Sequence, residues 1–138
     1  MGIRAALMIA GLLLAALLPA AGQATALPEW WPGDVQLPEQ ATLVTVDEAR
    51  EKGLPKVEFR VPTEWTSAKA LIDVFASALG ERGWTIDQRR ARSTSDSITA
   101  TRRDIDKRVI ITAWEPGTLF NKHKDAYKLE VVVYRSIP

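Results

Sequence analysis

The chain has no cysteine. That excludes a disulfide framework and any thiolate metal site. Histidine occurs once, at His123, between Lys122 and Lys124. Two flanking ammonium groups oppose a bound cation there, and a solvated loop histidine is expected. A Ser-His-Asp triad would have to use His123, and the sequence has no Gly-x-Ser-x-Gly elbow. Asparagine also occurs once, at Asn121, followed by Lys122 and His123, so there is no acceptor for N-glycosylation. Gly80 and Gly83 follow a helical pattern rather than open one, which excludes a phosphate-cradling loop. The closest carboxylates, Asp104 and Asp106, sit among Arg102, Arg103, Lys107 and Arg108. That pattern reads as a salt-bridged turn rather than an acid–base pair for glycoside hydrolysis. No catalytic residue, metal ligand or cofactor is expected.

What is present begins with an apolar N-terminus. Arg4 precedes an unbroken apolar run from Ala5 to Leu18, Pro19 ends it, and Ala24-Thr25-Ala26 forms an A-x-A site. This is the layout of a secretory signal peptide over residues 1–26. The run is short for a membrane span, which needs about 20 residues. Cleavage after Ala26 is expected, with an uncleaved inner-membrane anchor over Ala5–Ala21 as the competing reading. Export without disulfides or glycosylation suits a bacterial periplasm.

Residues 27–138 are enough for one domain with its own core. The whole chain carries 18 Lys and Arg against 17 Asp and Glu. With Arg4 removed it is formally neutral, which gives no support to general polyanion binding. The charge is unevenly placed. Residues 27–64 hold eight acids and four bases, and residues 82–108 hold four acids and eight bases. The two segments would compensate one another if they were neighbours in a sheet.

Residues 27–41 contain Pro28, Pro32, Pro38 and the pair Trp30-Trp31. So many prolines forbid a helix or a central strand, and an extended, polyproline-like entry segment is expected. The single domain then spans residues 42–138. Thr42–Val46 and Lys56–Val61 read as a strand pair, the second alternating Val57, Phe59 and Val61 against Lys56, Glu58 and Arg60. Asp47–Gly53 reads as a charged turn. Thr66 or Ser67 caps a helix from Ala68 to Arg82, with Ala68, Leu71, Ile72, Phe75 and Leu79 on one stripe. Further strands are expected over Trp84–Arg90, Ile98–Arg103, Lys107–Trp114 and Tyr127–Arg135. Ala91–Ser97 reads as a polar loop and Asp104-Ile105-Asp106 as a turn. The order β-β-α-β-β-β gives an α+β two-layer fold, one helix on a mostly antiparallel sheet.

The strand Val57–Val61, the helix from Ala68, Gly83-Trp84 with Thr85-Ile86, and Leu129–Tyr134 resemble small exported bacterial proteins and lipoproteins built from a strand, a helix ending in Gly-Trp and a β-meander. The order is also similar to the helix-on-sheet domains of envelope assembly lipoproteins, although the lipid-bearing cysteine is missing. The resemblance implies an envelope setting and carries no catalytic residue.

Two surfaces are candidates for an interface. Arg89, Arg90 and Arg92 enter the first loop of a basic hairpin, and Arg102, Arg103, Lys107 and Arg108 bracket its second. Guanidinium groups suit carboxylates and phosphates. Export points to an envelope protein or anionic envelope component, not to nucleic acid, with the membrane itself a partner only if the leader stays uncleaved. The alternative is an edge strand protected by charge. The second surface is the outer sheet face, where Ile110, Trp114, Val132 and Tyr134 would form an apolar patch. That patch is either open or covered by Trp30 and Trp31. Three functions remain open: a noncatalytic binding or assembly module, a small-ligand domain with a pocket near Trp65, Phe75 and Trp84, or a small hydrolase.

Overall fold

A computed structural model describes residues 27–48 and 54–135. The leader expected over residues 1–26 and most of the turn expected over Asp47–Gly53 lie outside the described residues. No described helix is long and apolar enough to cross a membrane.

The alternating segments form one six-stranded antiparallel sheet of order β1-β2-β6-β5-β4-β3. Its strands are β1 Thr42–Asp47, β2 Lys56–Pro62, β3 Thr85–Ala91, β4 Ser95–Arg102, β5 Lys107–Trp114 and β6 Ala126–Tyr134. Among the described residues one α-helix, α1 (Ala68–Glu81), crosses between β2 and β3. The domain is therefore an α+β two-layer fold with the expected order β-β-α-β-β-β. Every second residue of β2, β5 and β6 is buried, including Val57, Phe59, Val61, Val109, Ile111, Leu129, Val131 and Val133. Those side chains share the face that meets the helix, as a period of two requires.

The ends of α1 follow from its flanking residues. Ser67 is extended and its Oγ accepts from the amide of Ala70 at 3.0 Å. The Glu115 carboxylate accepts from the Ala68 amide at 2.8 Å, so a second orphan donor is satisfied from across the fold. At the other end Gly83 has φ +91°, and the amide of Trp84 donates to the carbonyl of Leu79. That left-handed position favours glycine, and it turns the chain straight into β3.

The helix packs against β3, β4 and β5. The β2 side of the same face is covered by the entry segment. Residues 27–41 do not keep the extended course expected of them: turns close from Trp31 to Pro28, Val35 to Pro32 and Ala41 to Pro38, each by an amide donating to a proline carbonyl. Each proline is the first residue of its turn, where only its carbonyl is used and its missing N–H costs nothing. The turns bring Trp31 edge-on to Phe59, with ring centroids 5.7 Å apart and planes at 73°. Asp34 anchors the segment to the far edge. Its carboxylate accepts from Trp84 Nε1 at 3.0 Å and Arg102 at 2.5 Å, and its carbonyl accepts from Arg82. Tyr127 Oη donates to the carbonyl of Trp65 at 2.7 Å, and burial pushes its phenol pKa up.

The polar loop expected over Ala91–Ser97 shrinks to three residues, because β4 starts at Ser95. Asp96 points inward in phase with Ile98 and Ala100, and it is 2% exposed. An acid at that position looks like a loop residue until its partner, Arg89, is placed beside it.

Candidate functional site

The basic hairpin is dispersed by the fold. Arg89 lies across from Ile98 on the helix side of β3. Its guanidinium meets Asp96 at 2.5 Å and Asp73 of the helix at 2.8 Å. The Asp96 carboxylate beside it, followed by Asp73, raises the Arg89 pKa. Arg102 is held by Asp104 and Asp34, and Asp104 in turn is kept below the usual carboxylate range by Arg102. Arg108 donates to Thr101, lies 3.9 Å from Asp87, and sits 5.9 Å from the Tyr134 ring centroid. Three of the seven cations are therefore structural. Asp106 meets Arg135 at 2.8 Å, so both carboxylates of the Asp104–Asp106 turn are ion-paired.

Among the described residues, Arg90, Arg92, Arg103 and Lys107 have no ion pair. They do not form one patch. Arg90 faces Ser97, whereas Lys107 faces Arg102. Those positions on β4 are about 17 Å apart at the rise of a strand.

The acidic and basic segments are not neighbours either. β1 and β2 form one side of the sheet and β3 and β4 the other, with β6 and β5 between them. The Asp34–Arg102 pair is a local link, and the charge imbalance stays spread across the molecule.

The outer apolar patch is interrupted. Ile110 pairs with Val132, but Trp114 pairs with Lys128 and Tyr134 with Arg108, with a Thr112–Glu130 row between. Lys128 Nζ lies 4.8 Å from the Trp114 ring centroid. All four apolar side chains are half-buried. Trp30 and Trp31 are not their cover. Trp31 packs on Phe59 of the opposite face, and Trp30 Nε1 donates to Glu48 at 2.7 Å.

Instead, the outer face of β3–β5 bounds an open groove of about 690 Å³. Hydroxyls of Ser97, Thr99 and Thr112 line its floor, with Trp114 at one wall and the unpaired Arg90 and Arg92 at the other. Phe75 and Trp84, named for an internal ligand pocket, are 3% and 4% exposed and belong to the packed core. No group of three or more His, Asp or Glu residues converges among the described residues.

One exposed feature escaped the sequence reading. Between β5 and β6, Leu119 is 85% and Phe120 62% exposed at the tip of a turn. Asn121 behind them is fully buried. Its Nδ2 donates to the carbonyls of Trp114, Glu115 and Ala126, and its Oδ1 accepts from the His123 amide. The signal in the sequence was an apolar pair beside the lone asparagine in an otherwise polar loop.

No known family, curated protein or solved structure matches this chain.

Proposed function

We propose that this chain is an exported, noncatalytic binding domain of the cell envelope, and that its outer groove takes an acidic segment of a partner protein. The observation that carries this is the pair Arg90 and Arg92: both are exposed, neither is ion-paired among the described residues, and both border a groove lined by hydroxyls and Trp114. Arg89, Arg102 and Arg108 are engaged, and the hairpin's other two cations without an ion pair among the described residues, Arg103 and Lys107, lie at its opposite end, so Arg90 and Arg92 are the charges the groove itself offers. The leader pattern supports the envelope setting.

A fluorescein-labelled oligo-glutamate peptide is expected to bind the protein saturably, and oligo-glutamine is not. The combined variant Arg90→Glu, Arg92→Glu is expected to weaken binding roughly tenfold or more, in line with reversing two charges at a partly desolvated site. The combined variant Arg103→Glu, Lys107→Glu, at the opposite end of the hairpin, should leave affinity within about twofold once salt screens distant charges. Equal losses in the two variants, read by fluorescence anisotropy, would reduce the effect to net charge and sink the groove as the site.

A further inference from the structure

We propose that the Leu119–Phe120 turn is a lipid-docking finger that inserts into the surface of an anionic bilayer. Leu119 and Phe120 are the two most exposed large apolar side chains among the described residues. They are adjacent at the tip of a turn. An exposed apolar pair there enters the headgroup–acyl boundary without requiring a shaped receptor.

The turn is built to hold that shape. Asn121 is fully buried and ties the loop to three carbonyls, while its own amide donates to Thr118 and the Gly117 amide donates to His123 at 2.7 Å. The cost of ordering the finger is therefore met in the free protein, as preorganised docking requires.

Cations outnumber acids around the tip: Lys122 and Lys128 border the pocket beside Leu119 and Phe120, with Glu58 as the one carboxylate among the described residues lining it. Lys122 and Lys124 follow the tip, are exposed, and have no ion pair among the described residues. Lys128 donates to the carbonyl of Phe120 at 3.2 Å. The acids of the same loop are directed elsewhere: Glu115 accepts from the amide of Ala68, and Asp125 lies 3.6 Å from Arg60. Lysine stems beside an apolar tip can lie along the interface with their ammonium groups among lipid phosphates.

This surface adjoins the outer groove, since Phe120 borders both. Docking through the finger would hold the groove close to the bilayer.

The absence of cysteine makes the test direct, because Leu119→Cys introduces a single thiol into the full chain. A polarity-sensitive fluorophore there is expected to shift to the blue on vesicles of phosphatidylcholine with phosphatidylglycerol, and to be quenched by spin-labelled lipid. The same fluorophore at Ser77→Cys, on the exposed helix face, is expected to stay in water, which separates finger contact from any binding through the N-terminal apolar run. Adding Lys122→Glu and Lys124→Glu is expected to weaken the response about tenfold or more. Asn121→Ala, which keeps Phe120 and both lysines but releases the turn, should also weaken it. A fluorophore at position 119 that stays in water on anionic vesicles, or that responds no more than the one at position 77, would overturn the proposal and leave the finger to a protein partner. Oligo-glutamate anisotropy and the position-119 spectrum are separate readouts, so a protein that binds the peptide while the fluorophore stays in water, or the reverse, distinguishes failure of the finger from failure of the groove.

Discussion

Replacing Trp31 with alanine is expected to destabilise the domain by about 3–5 kcal/mol, read as a lower urea midpoint at unchanged slope. Trp31 is 9% exposed and meets Phe59 edge-on. Its indole N–H donates to the carbonyl of Val35 at 3.1 Å, so the ring also holds the second turn of the entry segment. Helix α1 packs on β3–β5 and leaves the β2 side of the face to this ring. Alanine would open a cavity over Phe59, while Asp34 would still tie the segment to Trp84, Arg82 and Arg102. Trp30→Ala is the control. Trp30 is half-buried and its hydrogen bond to Glu48 is exposed, so a loss of about 1 kcal/mol is expected. Equal effects at the two positions would mean that the entry segment is not part of the core.

Arg89→Met is expected to cost about 3 kcal/mol, whereas Arg90→Met, one residue away, is expected to stay within about 0.5 kcal/mol. The difference lies in the faces of β3. Arg89 neutralises Asp96, whose side chain is 2% exposed, and its own side chain retains 32% of its exposure. Methionine would leave a buried carboxylate without a counter-charge. The figure sits at the low end for broken buried pairs because water still reaches the guanidinium. Adding Asp96→Leu should recover much of the loss, and a double-mutant cycle in urea measures that coupling. A cycle with no coupling would remove the pair from the account of stability.

The same substitution alters the acid limb. The Arg89 guanidinium, and then Lys69, hold the Asp73 carboxyl below its ordinary 3.8. A carboxyl whose native pKa is depressed adds stability above its ordinary value and loses it as pH falls through the lower native value. That contribution is therefore lost below about pH 4. The stability profile of Arg89→Met should be flatter in this window than that of the parent protein.

These expectations mark where local sequence pattern stops being informative. The stripe Leu71, Ile72, Phe75 and Leu79 and the alternation of Val57, Phe59 and Val61 were legible because periods of 3.6 and 2 are local properties of a chain. All of these residues are buried. Ser67 and Gly83 were legible for the same reason, since a cap acts within one turn of its helix. The element order and the α+β class followed from these signals.

The candidate site was less legible. Seven basic residues close in sequence read as one surface, but alternation around a bulged β3 sends Arg89 to one face and Arg90 to the other. Asp96 read as loop because its partner lies on another strand. The placement of Trp31 depended on which half of the sheet the helix leaves open, which no residue near Trp31 encodes.

By itself, then, the sequence determined the elements, their order, the two-layer class and the exclusion of thiolate chemistry, because composition and short-range periodicity act without knowledge of distant partners. The tertiary structure alone decided which arginines are consumed in ion pairs, which face the tryptophan covers, and that Leu119 and Phe120 stand exposed on a turn pinned by Asn121. Those outcomes depend on pairing register and on contacts between residues far apart in the chain, and a period read along one strand carries neither.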